Sequence, residues 1–490
     1  MLFNSIEYFV FFLFIFIVYW AISHSFRKAW LLIASWLFYA SWSPSFLIHF
    51  ILVLFINYLF LVGIAKYKRN YPLLVSILVL NFINLAFFKY FYFLVDILKF
   101  FSSWDVLARL SLGDETILPK IILPLAISFY TFQIVAFHVD VYRKEVDQVP
   151  SMKNYFLFIM FFPQLIAGPI VRHNELLPQL DERKTPKDID LNKALGLIGI
   201  GIVKKAVIAD FLSPTVAIIS QNPSSYTSAS ILTSIYFFSL VVYCDFAGYT
   251  DLARGSALLL GFTLPYNFRG PFFQMSFTDH WKRWHLTLTS WIRDYIYVPL
   301  GGNKLSVSRT FLNSIITFFL AGLWHGAGWG FAIWGFVNGF ALSMERLIYK
   351  DLKLVAEPAT WANASVNGKI VPQKLAYRIF KFLLIYSTIA IVGIFFNAGT
   401  DMERAMAIWT GLLTNGSQGI SVALTGKHFF VVILFLFLHY LEYNDFFLQS
   451  KLLERIQSSS RIWIPVASIV ILLYCSAYVD SDIPFVYFQF

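Results

Sequence analysis

Long apolar runs separated by short polar joints make up most of this chain. A helix that crosses a bilayer needs about 20 consecutive apolar residues. Runs of that order lie near residues 5–22, 29–42, 45–65, 71–100, 117–141, 154–171, 191–219, 229–261, 311–349, 376–396, 427–448 and 460–479. Several are short for a span and others are long enough to fold back, so the pattern predicts about eleven to thirteen transmembrane or re-entrant helices. No internal repeat, low-complexity tract or soluble domain interrupts them, and the longest polar stretch, about 350–374, reads as a loop. The expectation is an all-α, polytopic integral membrane protein with a single membrane domain over residues 1–490.

Composition excludes the soluble alternative. Of 490 residues, 58% are hydrophobic and 13% charged, against about 25% charged in soluble domains. Only lipid solvates so apolar a surface. The 26 Tyr and 14 Trp suit the two membrane–water interfaces; the 54 Phe read as lipid-facing bulk. A net charge of +10 would raise nucleic acid as a partner for a soluble protein. Here the cations sit in joints such as Lys66-Tyr67-Lys68-Arg69, which points to membrane lipid and not to nucleic acid. Cys244 and Cys475 lie in apolar surroundings and suit packing, not a disulfide framework.

The first apolar run follows Glu7 in place of a basic segment, so it reads as a retained helix and not a cleaved signal. Arg27 and Lys28 after the first run, and Lys66, Lys68 and Arg69 after the third, mark cytoplasmic joints and an external N-terminus. Simple alternation would then place Arg172, Arg183, Lys184 and Lys187 outside. A re-entrant segment near 154–171, broken at Gly168-Pro169, resolves the conflict.

Candidate chemistry lies between residues 243 and 345. Asp245 and Asp251 fall inside a long apolar segment and must face protein or water, as a structural polar network or as chemical groups. From Thr278, a helix would place Trp281, Trp284, His285, Leu288, Trp291, Ile292 and Tyr295 on one face, with Lys282, Arg283, Thr289 and Arg293 mostly elsewhere. Such a helix suits the membrane–water boundary, with His285 pointed inward. His325 sits in an apolar run flanked by glycines. A histidine there is either a satisfied core residue or, kept neutral by desolvation, a base able to take a proton from a hydroxyl. No Gly-x-Ser-x-Gly and no Cys beside a His supplies another nucleophile. His280 and His285 are five apart, off one helical face, so no metal site is expected.

These segments carry a resemblance. Pro124-Leu125-Ala126-Ile127-Ser128-Phe129-Tyr130-Thr131-Phe132-Gln133, Asp140-Val141-Tyr142-Arg143 and Phe162-Pro163-Gln164-Leu165-Ile166-Ala167-Gly168-Pro169-Ile170 precede Trp281-Lys282-Arg283-Trp284-His285 and Leu323-Trp324-His325-Gly326. In this order the chain resembles the membrane-bound O-acyltransferases (MBOAT). It looks most like their bacterial branch of alginate O-acetylation and teichoic acid D-alanylation membrane subunits. Nearly the whole chain is covered, with the core motifs in 120–345.

The resemblance implies a ring of tilted helices around a thinned centre, with a funnel for a cytosolic acyl donor. It implies His325 as the essential intramembrane histidine and His285 as a second, supporting one. Lys282 replaces the Arg usual at its position, and His280 is given no chemistry. Trp324, Trp284, Lys282, Arg283, Arg293 and Asp245 are the substrate-binding candidates. Lys282, Arg283, Arg293 and Lys304 would meet either donor phosphates or lipid headgroups. The implied donor is acetyl-CoA as substrate, with no bound cofactor; the other branch uses a D-alanyl carrier protein. An extracytoplasmic acetyltransferase of hydrolase-like fold is the implied partner, and the bacterial inner membrane the implied location. The tail over 480–490 ends Phe485-Val486-Tyr487-Phe488-Gln489-Phe490, similar to a Phe-x-Tyr-x-x-Phe ending in this branch. Tyr487 is a candidate acyl relay, since a phenyl ester is a better acyl donor than an alkyl ester; packing or partner docking is the alternative. D-alanyl transfer, or transport without chemistry, are the rival functions.

Overall fold

The computed structural model describes residues 1–447, apart from positions 2, 4, 68, 69, 103, 112, 114, 353–356, 359–362, 367–368 and 373–374, together with Arg455 and Ser459. The span expected at 460–479, Cys475 and the Tyr487 tail lie outside the described residues. Six described helices are long and apolar enough to cross a membrane: Pro44–Lys66, Tyr71–Phe101, Ser228–Leu259, Val307–His325, Ala376–Ala398 and Gly426–Tyr443. Ile6–Ala21 is a shorter apolar helix. The chain packs as two compact units, one of residues 1–191 with 253–265, the other of 192–252 with 266–490.

The first unit contains α1 (Ile6–Ala21), α2 (His24–Ala40), α3 (Pro44–Lys66), α4 (Tyr71–Leu85) and α5 (Ile127–Arg143). Ser5, Ser43 and Asn70 cap α1, α3 and α4 by accepting the backbone N–H three residues on. An aromatic cluster of Phe3, Tyr8, Phe38 and Phe162 forms much of its core. Within the spans, Asn57 and Asn81 exchange side-chain hydrogen bonds of 3.1 and 2.7 Å, the kind of polar pairing that joins helices in lipid. Val10, Leu13, Phe14 and Ile17 leave an apolar stripe of α1 exposed, suited to lipid. Phenylalanines divide between such faces and the core, so they are not lipid-facing bulk alone.

Two expected spans are interrupted here. Only Ile127–Arg143 of 117–141 is helical, starting after a left-handed Ala126 (φ 61°). The 154–171 run breaks at Phe161, ahead of Gly168-Pro169. Its irregular backbone is buried and satisfied within protein: Gln164 Nε2 donates to the Phe158 carbonyl (2.6 Å), and the Phe162 N–H to Ser35 Oγ (3.2 Å).

The second unit contains α6 (Asp210–Gln221), most of α7 (Ser228–Leu259), α8 (Phe277–Trp281), α9 (Leu286–Ile292), α10 (Val307–His325), α11 (Trp329–Arg346), α12 (Leu375–Ala398), α13 (Met402–Thr414) and α14 (Gly426–Phe447). A π-helical stretch, Val203–Ala209, precedes α6. The expected run at 311–349 is a hairpin of α10 and α11. They touch backbone to backbone: a Cβ on Gly322 would lie 2.2 Å from the Phe331 carbonyl oxygen, and one on Gly335 2.3 Å from that of Phe318. The stretch read as a loop carries three short antiparallel strands, Glu357–Pro358, Asn363–Val366 and Lys369–Pro372; local backbone pairing there is invisible to hydropathy.

Candidate active site

The segment expected as one amphipathic helix is two short ones with a kink between them. Ser276 caps α8, its Oγ accepting from the Asp279 N–H at 3.0 Å. The Glu345 carboxylate, from α11, also sits on that N-terminus. It accepts from the Phe277 and Thr278 N–H groups (2.7 and 2.8 Å) and the Thr278 hydroxyl (2.7 Å). A carboxylate is favoured there by the exposed N–H donors and the helix dipole.

The chain then turns at His285, which adopts φ 43°, ψ 56°. A left-handed backbone is costly for a residue with a Cβ and persists only when its surroundings impose it. Asn267 does so. Its carbonyl accepts from the Leu286 N–H (2.8 Å) and its side chain from the Thr287 hydroxyl (2.6 Å). The Arg269 N–H adds a bond to the Arg283 carbonyl at 3.1 Å. The Trp face of this segment faces protein: Trp281 packs edge-on against Phe318 and Trp334.

His285 is 1% exposed and lies edge-on to Phe246 at 4.7 Å. Neither ring nitrogen reaches a hydrogen-bond partner on another described residue. Burial pushes its pKa down to about 3, so the ring is neutral. His325 ends α10 at 7% exposure, edge-on to Trp324 (4.8 Å), Trp334 (5.3 Å) and Phe396 (5.0 Å).

Both histidines line one cavity of about 460 Å³. Trp281, Trp284, Lys282 and Arg293 are also on its wall, with Lys282 and Arg293 solvent-exposed. Two basic residues that sequence reasoning passed over, Arg346 and Lys350, join them.

Other candidates fall elsewhere. Trp324 is buried between the histidines and does not line this cavity. Arg283 is buried, 3.4 Å from Asp279 and over the Tyr443 ring, and is also absent from the wall. Burial lowers its pKa to about 10 against the pull of Asp279. Lys304 is exposed and off the cavity.

Asp245 belongs to a polar network. Lys205 bonds Asp245 and Asp210, each at 2.7 Å. Lys204 bonds Asp251 at 2.7 Å and also Glu442, which accepts from the Tyr243 hydroxyl. These carboxylates face protein cations.

Sequence reasoning also passed over Glu345 and His439. Glu345 carried a signal, a carboxylate inside a long apolar run. His439 Nε2 accepts from the Phe272 N–H at 2.9 Å. His280, given no chemistry, donates Nδ1–H to the Pro271 carbonyl at 2.9 Å. Tyr487 lies outside the described residues.

Residues 74–387 match the family described as MBOAT, membrane-bound O-acyltransferase family. The chain is 32% identical over 433 residues to the peptidoglycan O-acetyltransferase of Helicobacter pylori, covering 82% of this chain and 76% of that one. It is 34% identical over 370 residues to the "Probable alginate O-acetylase AlgI" of Pseudomonas aeruginosa, covering 74% and 69%. It is 27% identical over 240 residues to the teichoic acid D-alanyltransferase of Bacillus subtilis, covering 46% and 60% of the two chains.

Proposed function

Because this chain belongs to the membrane-bound O-acyltransferase family and is a multi-pass membrane O-acyltransferase, we propose that it moves acetyl from cytosolic acetyl-CoA across a bacterial inner membrane for O-acetylation of an envelope polysaccharide. The observation that carries this reading is the cavity where His325 and His285 meet exposed cations. Its volume falls in the range of small-molecule sites. Lys282 and Arg293 suit the phosphates of CoA, and the buried end suits the thioester. Acetyl is favoured over D-alanyl because the O-acetylating relatives match more of the chain at higher identity. Family membership sets aside a transporter without chemistry.

In the reaction, the acceptor hydroxyl oxygen attacks the thioester carbonyl carbon. Its proton passes to a ring nitrogen of His325 as the C–O bond forms. The C–S bond then breaks, and the departing thiolate takes that proton to leave as the free thiol. His285, neutral and wedged among aromatics, supports the geometry. Among the described residues of the second unit no fold of a polysaccharide-binding kind is present, which supports a route in which the acetyl group passes to an extracytoplasmic transferase partner.

Full-length protein in lipid nanodiscs with radiolabelled acetyl-CoA tests this reading. His325→Gln should lower CoA release by about 10²–10⁴-fold, the usual contribution of a general base, while the variant stays folded. Equal release by both chains would remove His325 from the mechanism. Release from a D-alanyl carrier alone would replace the donor. Label retained on Tyr487 would establish the relay.

A further inference from the structure

A second, smaller cavity of about 60 Å³ adjoins the first. His325, Trp281, Trp284 and Trp334 line both, so the candidate base stands in the shared wall. The rest of the small chamber is mostly apolar: Phe238 and Val242 from α7, and Ile389, Ala390, Gly393 and Phe396 from α12.

Gly393 is the informative residue. Other glycines near His325 are explained by close packing, since a Cβ on Gly322, Gly326, Gly330 or Gly335 would lie 2.1–2.4 Å from a neighbouring atom. Gly393 has no such neighbour: its Cβ would meet nothing closer than a Phe238 ring carbon at 3.8 Å. It is not in the left-handed region either. Glycine inside a helix costs about 0.5–1 kcal/mol relative to alanine, with no packing or backbone return here. What the missing side chain leaves is space beside His325.

We propose that this chamber receives the acyl group of the donor and limits it to a short one. The inference rests on the proposed acyl-CoA-dependent function and names its acyl specificity. A water needs about 10–15 Å³ of such space, so the chamber holds roughly four to six groups of that size. That volume matches an acetyl group, with slight room beyond it, and is small for a fatty acyl chain. The apolar wall takes the methyl end, while the carbonyl carbon stays at His325 for attack from the larger cavity. Gly393 and Ile389 are thus specificity-determining residues.

The test uses full-length protein in nanodiscs with acetyl-, propionyl- and butyryl-CoA, reading kcat/KM for CoA release. One methylene in an apolar pocket discriminates by about 10–200-fold. Gly393→Ala should therefore lower the propionyl-to-acetyl ratio by about tenfold or more. Gly393→Val should depress acetyl-CoA turnover as well. Ile389→Ala should raise the propionyl-to-acetyl ratio by about tenfold or more and bring butyryl-CoA into use. Ratios within about twofold of native in all three variants, each with native thermal stability, would overturn the acyl pocket and leave the proposed function standing. No CoA release by the native chain from any of the thioesters would overturn both.

Discussion

Trp324 packs edge-on against His285, with ring centroids 6.0 Å apart and planes at 68°. The same indole meets His325 at 4.8 Å, so one buried side chain touches both histidines without lining the large cavity. Its size fixes the distance between them. Removing an indole from a packed interior costs about 3–5 kcal/mol. Trp324→Ala should lower kcat strongly while KM for acetyl-CoA moves less than about threefold, the pattern of a positioning residue. Trp324→Phe should restore much of kcat. A change confined to KM would instead make Trp324 a binding residue.

The neutral state of His285 has a pH signature. Its pKa is about 3 in the folded chain against an ordinary 6.5. Between those values the unfolded chain binds more protons, so the ring's contribution lowers stability as pH falls below about 6.5 and is constant above it. From pH 7.5 to 5.5 that contribution amounts to about 1 kcal/mol. His285→Asn, which tolerates the left-handed backbone, should remove that share of the acid sensitivity. Thermal melting of both chains at the two pH values measures it; identical pH dependence would mean that the ring is not buried neutral.

Gly322 tests whether the α10–α11 hairpin positions His325. A methyl there would meet the Phe331 carbonyl oxygen at 2.2 Å, so the helices must separate. Overpacking of this kind costs about 1–3 kcal/mol. A shift of about 1 Å in a catalytic group can cost 10²-fold in rate. Gly322→Ala should therefore lose far more CoA release than its modest drop in melting temperature suggests. Gly426→Ala, where a methyl meets nothing within 4 Å, should change neither.

Much of this was legible in the sequence because lipid makes hydropathy decisive. Long runs such as 45–65, 229–261 and 376–396 became helices near the expected limits. The Leu323-Trp324-His325-Gly326 and Trp281-Lys282-Arg283-Trp284-His285 motifs pointed to two histidines that do share one cavity. What escaped depends on distant partners. Helical periodicity through 278–295 is genuine, yet Asn267 bends the chain at His285, and no local pattern records that. Charge counting placed Arg283 with Lys282 and Arg293, but adjacent residues point in different directions, and Arg283 turned inward to Asp279 and Tyr443. Likewise Lys204 and Lys205, in the π-helical stretch Val203–Ala209, find partners as distant in sequence as Glu442 and Asp245.

Those lysines connect the fold to the site. Lys204 is buried and shared by Asp251 and Glu442. Glu442 in turn holds the Tyr243 hydroxyl, and the Tyr243 ring lies 6.1 Å from Trp284, a wall of both cavities. Removing one member of a buried ion pair costs about 3–5 kcal/mol, because the remaining charge stays in a medium that solvates it poorly. Lys204→Met takes away the cation that both carboxylates share, so its melting temperature should fall sharply. Adding Asp251→Leu and Glu442→Leu removes the charges left behind together with the acceptor of the Tyr243 hydroxyl, and should recover most of the loss, since replacing a whole buried ionic group by apolar side chains is often near neutral. The recovered chain separates two roles for the network. If it serves stability alone, CoA release returns with the fold. If the Glu442–Tyr243 bond also holds Trp284 in place, release stays low in the triple variant despite its recovered melting temperature. The arrangement of these side chains favours the second result: Glu442 bonds the tyrosine and the lysine together, so removing its acceptor oxygens loosens the aromatic wall even when the charge is balanced.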